Sequence, residues 1–326
     1  MVEPSGNIAP FATAAVSALA VPDLVGVFGN ITVPSTLVPG DKGKVPVVVT
    51  NQGDGSAVGR IGIEIYASSD GTLDGNDLLL ARLSNQAVGL APGKSKTYTA
   101  SLVVPVTVAP GSYFLLASID ATNVVPESSE NNNLAVTASS REVAWKFGSF
   151  AARRNVKLTV NDTQGKPVTF ALTGNGVGEV VGGNAFTQVV LSGTDASTAV
   201  TITTAKGAET TVRDMVVHGS LKSLTAKTTD LSGDLAVDGS VATLVFDDAA
   251  GGHTLIMGAS ASPTATVAMT FDQVADMRIH SGTPLKSVTA TEWQDSDGTP
   301  SDMIEAPRLD TLTIKGGREE KAGREL

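Results

Sequence analysis

Strict two-residue alternation is the first order visible in the chain. Val45, Val47 and Val49, then Ile61, Ile63 and Ile65, put an aliphatic side chain at every second position, which turns one face of each extended segment toward a core. Turn clusters separate these segments: Pro39-Gly40, Asn51-Gln52-Gly53, Ser69-Asp70-Gly71, Pro92-Gly93 and Pro110-Gly111. Their prolines preset φ, and their glycines and asparagines tolerate positive φ. No run of helical period interrupts Pro22 to Val143. The pattern therefore predicts about seven strands in a two-sheet, immunoglobulin-like β-sandwich.

Past Trp145 the texture changes to short Val, Thr, Leu and Ala segments punctuated by Gly, Asp and Ser, and a repeat emerges. Asp214-Met215-Val216-Val217-His218-Gly219-Ser220-Leu221 returns 20 residues later as Asp234-Leu235-Ala236-Val237-Asp238-Gly239-Ser240-Val241. Further copies start at Asp276-Met277-Arg278-Ile279-His280 and at Asp302-Met303-Ile304-Glu305, with a weaker turn around His253 to Gly258. A period of about 20 to 26 residues matches one coil of a parallel β-helix, a β-solenoid whose coils stack at the inter-strand spacing. Leu221, Val241, Leu285 and Leu309 are expected to line up as an inward ladder. A leucine-rich repeat lacks its Asn ladder here, and a propeller blade needs about 40 residues. Residues 148–212 are less regular and read as opening coils plus a cap that blunts the exposed end of the stack. The expected organisation is a linker or degenerate targeting segment over 1–21, a sandwich over 22–145 and a solenoid over 146–326.

The landmarks of the first half also resemble a known family. Pro22-Asp23-Leu24, Pro39-Gly40, Val48-Val49-Thr50-Asn51-Gln52-Gly53 and Tyr66-Ala67-Ser68-Ser69-Asp70-Gly71-Thr72-Leu73-Asp74 occur in the order seen in the CARDB domain, a cell-adhesion-related module of bacteria. Ala109-Pro110-Gly111-Ser112-Tyr113, Asp120 and Val125-Pro126-Glu127-Ser128-Ser129-Glu130-Asn131-Asn132-Asn133 are similar to its closing strands and acidic Asn-Asn corner. The resemblance implies an immunoglobulin-like, noncatalytic extracellular module. The repeats after Lys146 resemble stalk modules of large bacterial surface proteins.

Composition narrows the partners. The chain of 326 residues is 41% hydrophobic and 17% charged, enough apolar surface to offset chain entropy. Its net charge of −10 has the wrong sign for nucleic acid or anionic membranes. With no cysteine, disulfides and thiolate chemistry are excluded while the compartment stays open. No stretch approaches the roughly 18 apolar residues of a membrane span. The apolar segment from Ile8 to Val21 has Glu3 and no basic residue before it, unlike a secretory signal. The charged run from Arg318 to Leu326 follows Gly316-Gly317 without a closing turn and reads as a truncation.

Three groups of residues carry candidate chemistry. Asp70, Asp74, Asn76 and Asp77 offer hard oxygens for calcium, although their spacing is not that of an EF-hand, and the alternative is a hairpin connection whose side chains bond their own backbone. Asp276, Arg278 and His280 alternate on one expected strand and so share a face, as a solenoid polysaccharide lyase would require of its acids and base. Trp293, Asp295 and Asp297 sit with Asp302 in a longer inter-coil insertion, a place where ligands bind. His218 and His280 are expected at one repeat position, with Asp238 and Glu305 as its occupants in other copies. The glycine-rich Gly174-Asn175-Gly176-Val177-Gly178 reads as turns. The resulting expectation is a noncatalytic adhesion or structural module at the cell surface or outside the cell. It would act as a monomeric fragment of a larger protein, facing a surface or matrix protein or a polysaccharide, without a cofactor unless calcium binds. The alternative is a carbohydrate-active β-helix enzyme with an accessory sandwich.

Overall fold

The computed structural model describes residues 19–296 and 302–316. Among them every regular element is a strand except one short 3-10 turn at Gly183–Ala185, so the all-β expectation holds.

Two sheets form the sandwich. Leu24–Phe28, Lys42–Asn51 and Ser95–Val103 make one. The other is built on Ala57–Ser68, flanked by Leu78–Leu90 and Gly111–Ile119, with three short strands, Thr36–Leu37, Leu134–Val136 and Arg141–Val143, completing it. Val45, Val47, Val49, Ile61, Ile63 and Ile65 are all wholly buried between the sheets, as their alternation requires. Buried polar side chains clip the loops. Asn51 accepts from the Asp23 and Gly53 N–H groups through Oδ1 and donates through Nδ2 to the Gly55 and Leu90 carbonyls. Asp120, at φ 47°, accepts from the Val124 and Val125 N–H groups. Glu127 accepts from the Leu24 N–H and from Asn133 Nδ2, pinning the first strand to the Asn-rich corner. Burial pushes the Glu127 carboxyl up to about 7, more than these bonds pull it down.

The sandwich sits on the end of the second half. Trp145 is buried in the second core and donates through Nε1 to the Val108 carbonyl at 2.9 Å. Arg153 grips Asp41 with two bonds, Nη1 to Oδ2 at 2.8 Å and Nη2 to Oδ1 at 2.6 Å. Below Trp145 the rings of Phe147, Phe170 and Phe186 pack at centroid distances of 5.7 Å and 5.2 Å. Strands from Lys146–Phe150 to Ala199–Thr204 pair antiparallel around these rings, forming the cap that the irregular sequence of this region predicts.

From there the chain winds as a parallel β-solenoid of about five turns. One ladder stacks Gln188–Thr194, Asp214–Gly219, Leu235–Val237, Thr254–Met257, Arg278–Ser281 and Met303–Glu305. A second stacks Ala199–Thr204, Leu221–Ala226, Val241–Phe246, Val267–Ala275, Leu285–Gln294 and Leu312–Ile314. A third stacks Thr210–Val212, Thr229–Leu231 and Ala249–Ala250, and continues on the far end of Val267–Ala275. Leu221 faces Val241, and Leu285 faces both Val267 and Leu309. The predicted inward ladder thus exists, with Val267 as an unforeseen member. Leu309 departs from it: it keeps the register but is 36% exposed, because no described rung covers it.

The register of the later copies also departs from the sequence alignment. Met215 stacks on Leu235, Leu255, Ile279 and Ile304, so Asp276-Met277 is not the counterpart of Asp214-Met215. Asp276 takes a left-handed φ of 52° at the corner before the strand, which shifts the copy by two positions. His280 consequently faces Ile256 and Glu305, whereas His218 lies two positions further along the strand, and the two histidines do not share a column.

A glycine occupies the corner between the first two ladders on successive rungs, at Gly219, Gly239, Gly258 and Gly282. A Cβ on Gly258 would lie 2.0 Å from the Asp238 carbonyl oxygen of the rung below, a backbone atom that cannot move aside.

Gly258→Ala is expected to destabilise the solenoid by about 1–3 kcal/mol, lowering its melting temperature by about 2–4 °C per kcal/mol while the sandwich melts unchanged; differential scanning calorimetry measures both. For Glu127, the folded carboxyl titrates at about 7 against 4.5 unfolded. Its favourable contribution is therefore complete below pH 4.5 and is lost as pH rises through 7. Glu127→Gln should flatten the fall in sandwich stability between pH 5 and 8 seen in urea melts, on the order of 1 kcal/mol after allowance for solvent screening.

Candidate functional site

The loop after Ala57–Ser68 is closed by its own hydrogen bonds. Asp70 Oδ1 accepts from the Thr72 N–H at 2.8 Å and from Ser68 Oγ at 3.1 Å. These bonds hold its carboxyl below the usual range, the Thr72 N–H contributing most. Asp74 Oδ1 accepts from the Asn76 N–H at 2.7 Å, and Asp77 Oδ2 accepts from the Asp74 N–H at 3.0 Å. Asp70 and Asp74 each bond the N–H two residues on, the pattern of Asx turns, and Asp77 reaches back three residues to close the loop.

The expected face of Asp276, Arg278 and His280 does not form. Arg278 and His280 are exposed on the strand Arg278–Ser281, whereas Asp276 precedes it and is buried. The left-handed φ at Asp276 turns its side chain inward, where it accepts from the Ser296 N–H at 2.7 Å and from Ser296 Oγ. His280 Nδ1 instead lies 3.0 Å from Glu305 Oε2 on the next rung. His218 Nδ1 is 3.0 Å from Asp238 Oδ2 on its next rung, and His253 Nδ1 is 3.8 Å from Asp234 Oδ1 on the rung before. All three histidines of the chain thus pair with a carboxylate across one rung on the outer surface.

Trp293 is the penultimate residue of the strand Leu285–Gln294, opposite Val274, and is half-buried against the solenoid core, so it belongs to a rung and not to an exposed insertion. With Met303, Ile304, Leu309, Leu312 and Ile314 it lines an apolar groove of about 340 Å³ at the last described rung. Asp295 follows it on the surface, and Asp297 lies outside the described residues.

Among the described residues, two acidic triplets bring one oxygen of each member within 4.8 Å of the others: Asp276 with Asp295 and Asp302, and Asp247 with Asp248 and Asp272. In the first, Asp302 Oδ1 also accepts from the Met277 N–H at 2.7 Å. The second escaped sequence reading. It lies at the corner between the second and third ladders, where Asp247 and Asp248 fall between the strands Val241–Phe246 and Ala249–Ala250 and Asp272 is on Val267–Ala275, so strand alternation does not mark it. The Asp247-Asp248 doublet, with Asp230 and Asp272 one rung away on either side, was the signal available. Asp230 is pushed up to about 6, first by burial and then by Asp248 and Asp247. Burial, then Asp248, Glu209 and Asp272, raises Asp247 in the same way.

Comparison with known proteins bears on the sandwich. Residues 21–137 match the CARDB family model. No curated protein matches the chain. Among solved structures, a CARDB domain from Pyrococcus furiosus, crystallised in complex with di-metal ions, is 24% identical with a TM-score of 0.28, covering 39% of this chain and 97% of that one. A domain from a Methanosarcina acetivorans protein described as a cell-surface protein is 20% identical with a TM-score of 0.28, covering 38% and 92%. A β-glucosidase from Listeria innocua is 19% identical with a TM-score of 0.26, covering 37% of this chain and 16% of the enzyme. No helix among the described residues is long and apolar enough to cross a membrane. Residues 21–137 thus match the CARDB family, and the sandwich they form sits at the capped end of a β-solenoid.

Proposed function

We propose that the chain is a noncatalytic module of a cell-surface or secreted protein, a rigid solenoid spacer that carries a CARDB-type sandwich toward a surface or matrix protein or a polysaccharide. The observation that carries this reading is the joint between the halves. The Trp145 bond to Val108 and the two-pronged Arg153–Asp41 contact fix the sandwich on the capped end of the stack. Five rungs at about 4.8 Å each then hold the two ends of the solenoid roughly 25 Å apart.

The exterior chemistry favours the same reading over a polysaccharide-cleaving one. A lyase or hydrolase needs acids and a base converging on one groove, whereas His218, His253 and His280 are each tied to a separate carboxylate. The Asp70 to Asp77 loop, closed by its own side-chain-to-backbone bonds, serves as a hairpin connection rather than a calcium site.

Asp276→Ala/His280→Ala protein is expected to show the same behaviour as the parent against a panel of neutral and acidic polysaccharides, with no reducing-end or unsaturated product from either. Cleavage by the parent that the double variant loses would establish the enzyme instead. Trp145→Ala should lower stability by about 3–5 kcal/mol and open the joint, seen as new limited-proteolysis cuts between Val143 and Lys157. An intact, protease-resistant joint in that variant would remove the rigid-spacer argument. Protease shaving of intact cells producing the protein should release sandwich peptides; their complete protection would place the module elsewhere.

A further inference from the structure

The corner where the first strand meets the Asn-rich loop holds an acid that no base answers. Glu127 is half-buried there, accepting from the Leu24 N–H through Oε2 and from Asn133 Nδ2 through Oε1 at 3.2 Å. The charged groups that act on it are Glu130 and then Asp120, both acids. Backbone contacts hold all three in place. The Glu127 N–H donates to Glu130 Oε1 at 2.9 Å. Asp120, wholly buried, accepts from the Val124 and Val125 N–H groups, and the Ile119 N–H beside it donates to the Asn133 carbonyl at 2.8 Å. Rotating any one of these acids away breaks a bond that closes the loop.

A second observation is independent of these charges. Asn133 is 9% exposed, and its Oδ1 is buried without a hydrogen-bond partner. The nitrogen of the same amide is bonded to Glu127, so the orphan oxygen belongs to a group held against that carboxylate. Turning the amide over gives no relief, because it sets an amide oxygen against a carboxylate oxygen and orphans the nitrogen instead. The adjacent Asn132 repeats the arrangement, with Nδ2 donating to Asp23 Oδ1 at 2.9 Å and Oδ1 buried and unpartnered. A buried oxygen of this kind requires a donor or a cation. Water meets that need alone, whereas a cation meets it together with the charge of the three acids.

We propose that this corner of the sandwich binds a divalent cation of the calcium type through the Glu127 carboxylate and the Asn133 amide oxygen, with waters completing the shell. Carboxylate and amide oxygens are ligands of a hard cation rather than of zinc or copper. Calcium with ligands at about 2.3–2.6 Å holds oxygens up to about 5 Å apart, a span that the two ends of one bonded amide–carboxylate pair can bridge. Glu130 is exposed, so solvent reaches the corner and supplies the remaining ligands. The ion's waters are donors, which the Asn132 oxygen lacks. Because Glu127 also holds the Leu24 N–H, such a cation fastens the first strand to the Asn-rich corner.

The test uses the whole chain, stripped with chelator and titrated with calcium chloride at pH 7.5, read by calorimetric binding and by the melting temperature of the sandwich. At an affinity of about 10⁻⁴–10⁻³ M, usual for extracellular modules, 10 mM calcium is expected to raise that temperature by about 4–10 °C. Glu127→Gln should lose both the binding heat and the rise while keeping an acceptor for the Leu24 N–H. Asn133→Asp puts a charge on the ligand oxygen: without calcium it melts below the parent, and with calcium it binds about threefold more tightly or better and gains more degrees than the parent. It serves if Glu127→Gln does not fold. Asp247→Asn/Asp248→Asn and Asp74→Asn/Asp77→Asn should leave the rise of the sandwich intact. The proposal is overturned if calcium neither binds to the parent nor shifts it, the outcome of ordered water alone at the orphan oxygens. It is overturned equally if the response survives in Glu127→Gln, if Asn133→Asp gains no more from calcium than the parent, or if either aspartate double variant abolishes the rise.

Discussion

The second half of this molecule depends on one spacing, the close approach of each rung's backbone to the one below. Parallel strands bond at about 4.8 Å, and a coil closes only if its corners keep that separation where the chain bends away from regular pairing. The glycines at 219, 239, 258 and 282 serve this purpose. At Gly239 the N–H reaches the Gly219 carbonyl at 2.8 Å, and at Gly258 a side chain would strike the Asp238 carbonyl. With the corners held, the inward column of Met215, Leu235, Leu255 and Ile279 becomes fully buried. The 4% aromatic content of the chain follows, since narrow coils leave room for aliphatic side chains and few rings.

A stack of this kind has ends, and an exposed end presents unpaired backbone and apolar side chains. At the first end the chain uses antiparallel strands around Phe147, Phe170 and Phe186 and sets the sandwich over Trp145. The rings that the coils exclude are concentrated there because the cap is wide enough to hold them. The same contacts fix the direction in which the sandwich points, so the joint that ends the solenoid also makes the two halves one body.

Stacking has an electrostatic consequence as well. Any residue type that recurs at a rung position is brought within one strand spacing of its copies. On the first ladder this places His218 against Asp238 and His280 against Glu305, each imidazole nitrogen within hydrogen-bond distance of a carboxylate oxygen. On the third ladder it places aspartates beside aspartates, and with burial and no cation nearby Asp230 and Asp247 titrate upward. One geometry gives histidine–carboxylate pairs on one face and an acidic corner on another.

The class of both halves was legible in the chain. Alternation at Val45 to Val49 and Ile61 to Ile65 sufficed for the sandwich, and the 20-residue return from Asp214 to Asp234 sufficed for the coil, because periodicity records which face of a strand is buried. The buried Asn51 and Asp120 clips and the half-buried Glu127 lie among the residues that carry the CARDB resemblance, since loops with unpaired N–H groups need acceptors at fixed places. Alignment of the dipeptides Asp214-Met215 and Asp276-Met277 misplaced the later rungs by two positions. A left-handed corner residue consumes chain length without leaving a trace in the pattern. The acidic corner showed in the sequence only as the Asp247-Asp248 doublet, for a related reason: Asp230, Asp247 and Asp272 are separated by 17 and 25 residues, and only rungs of unequal length wound onto each other make them neighbours. Local sequence determines which face a residue turns inward; which distant residues then share a corner is decided by the number of residues each coil spends between its bends.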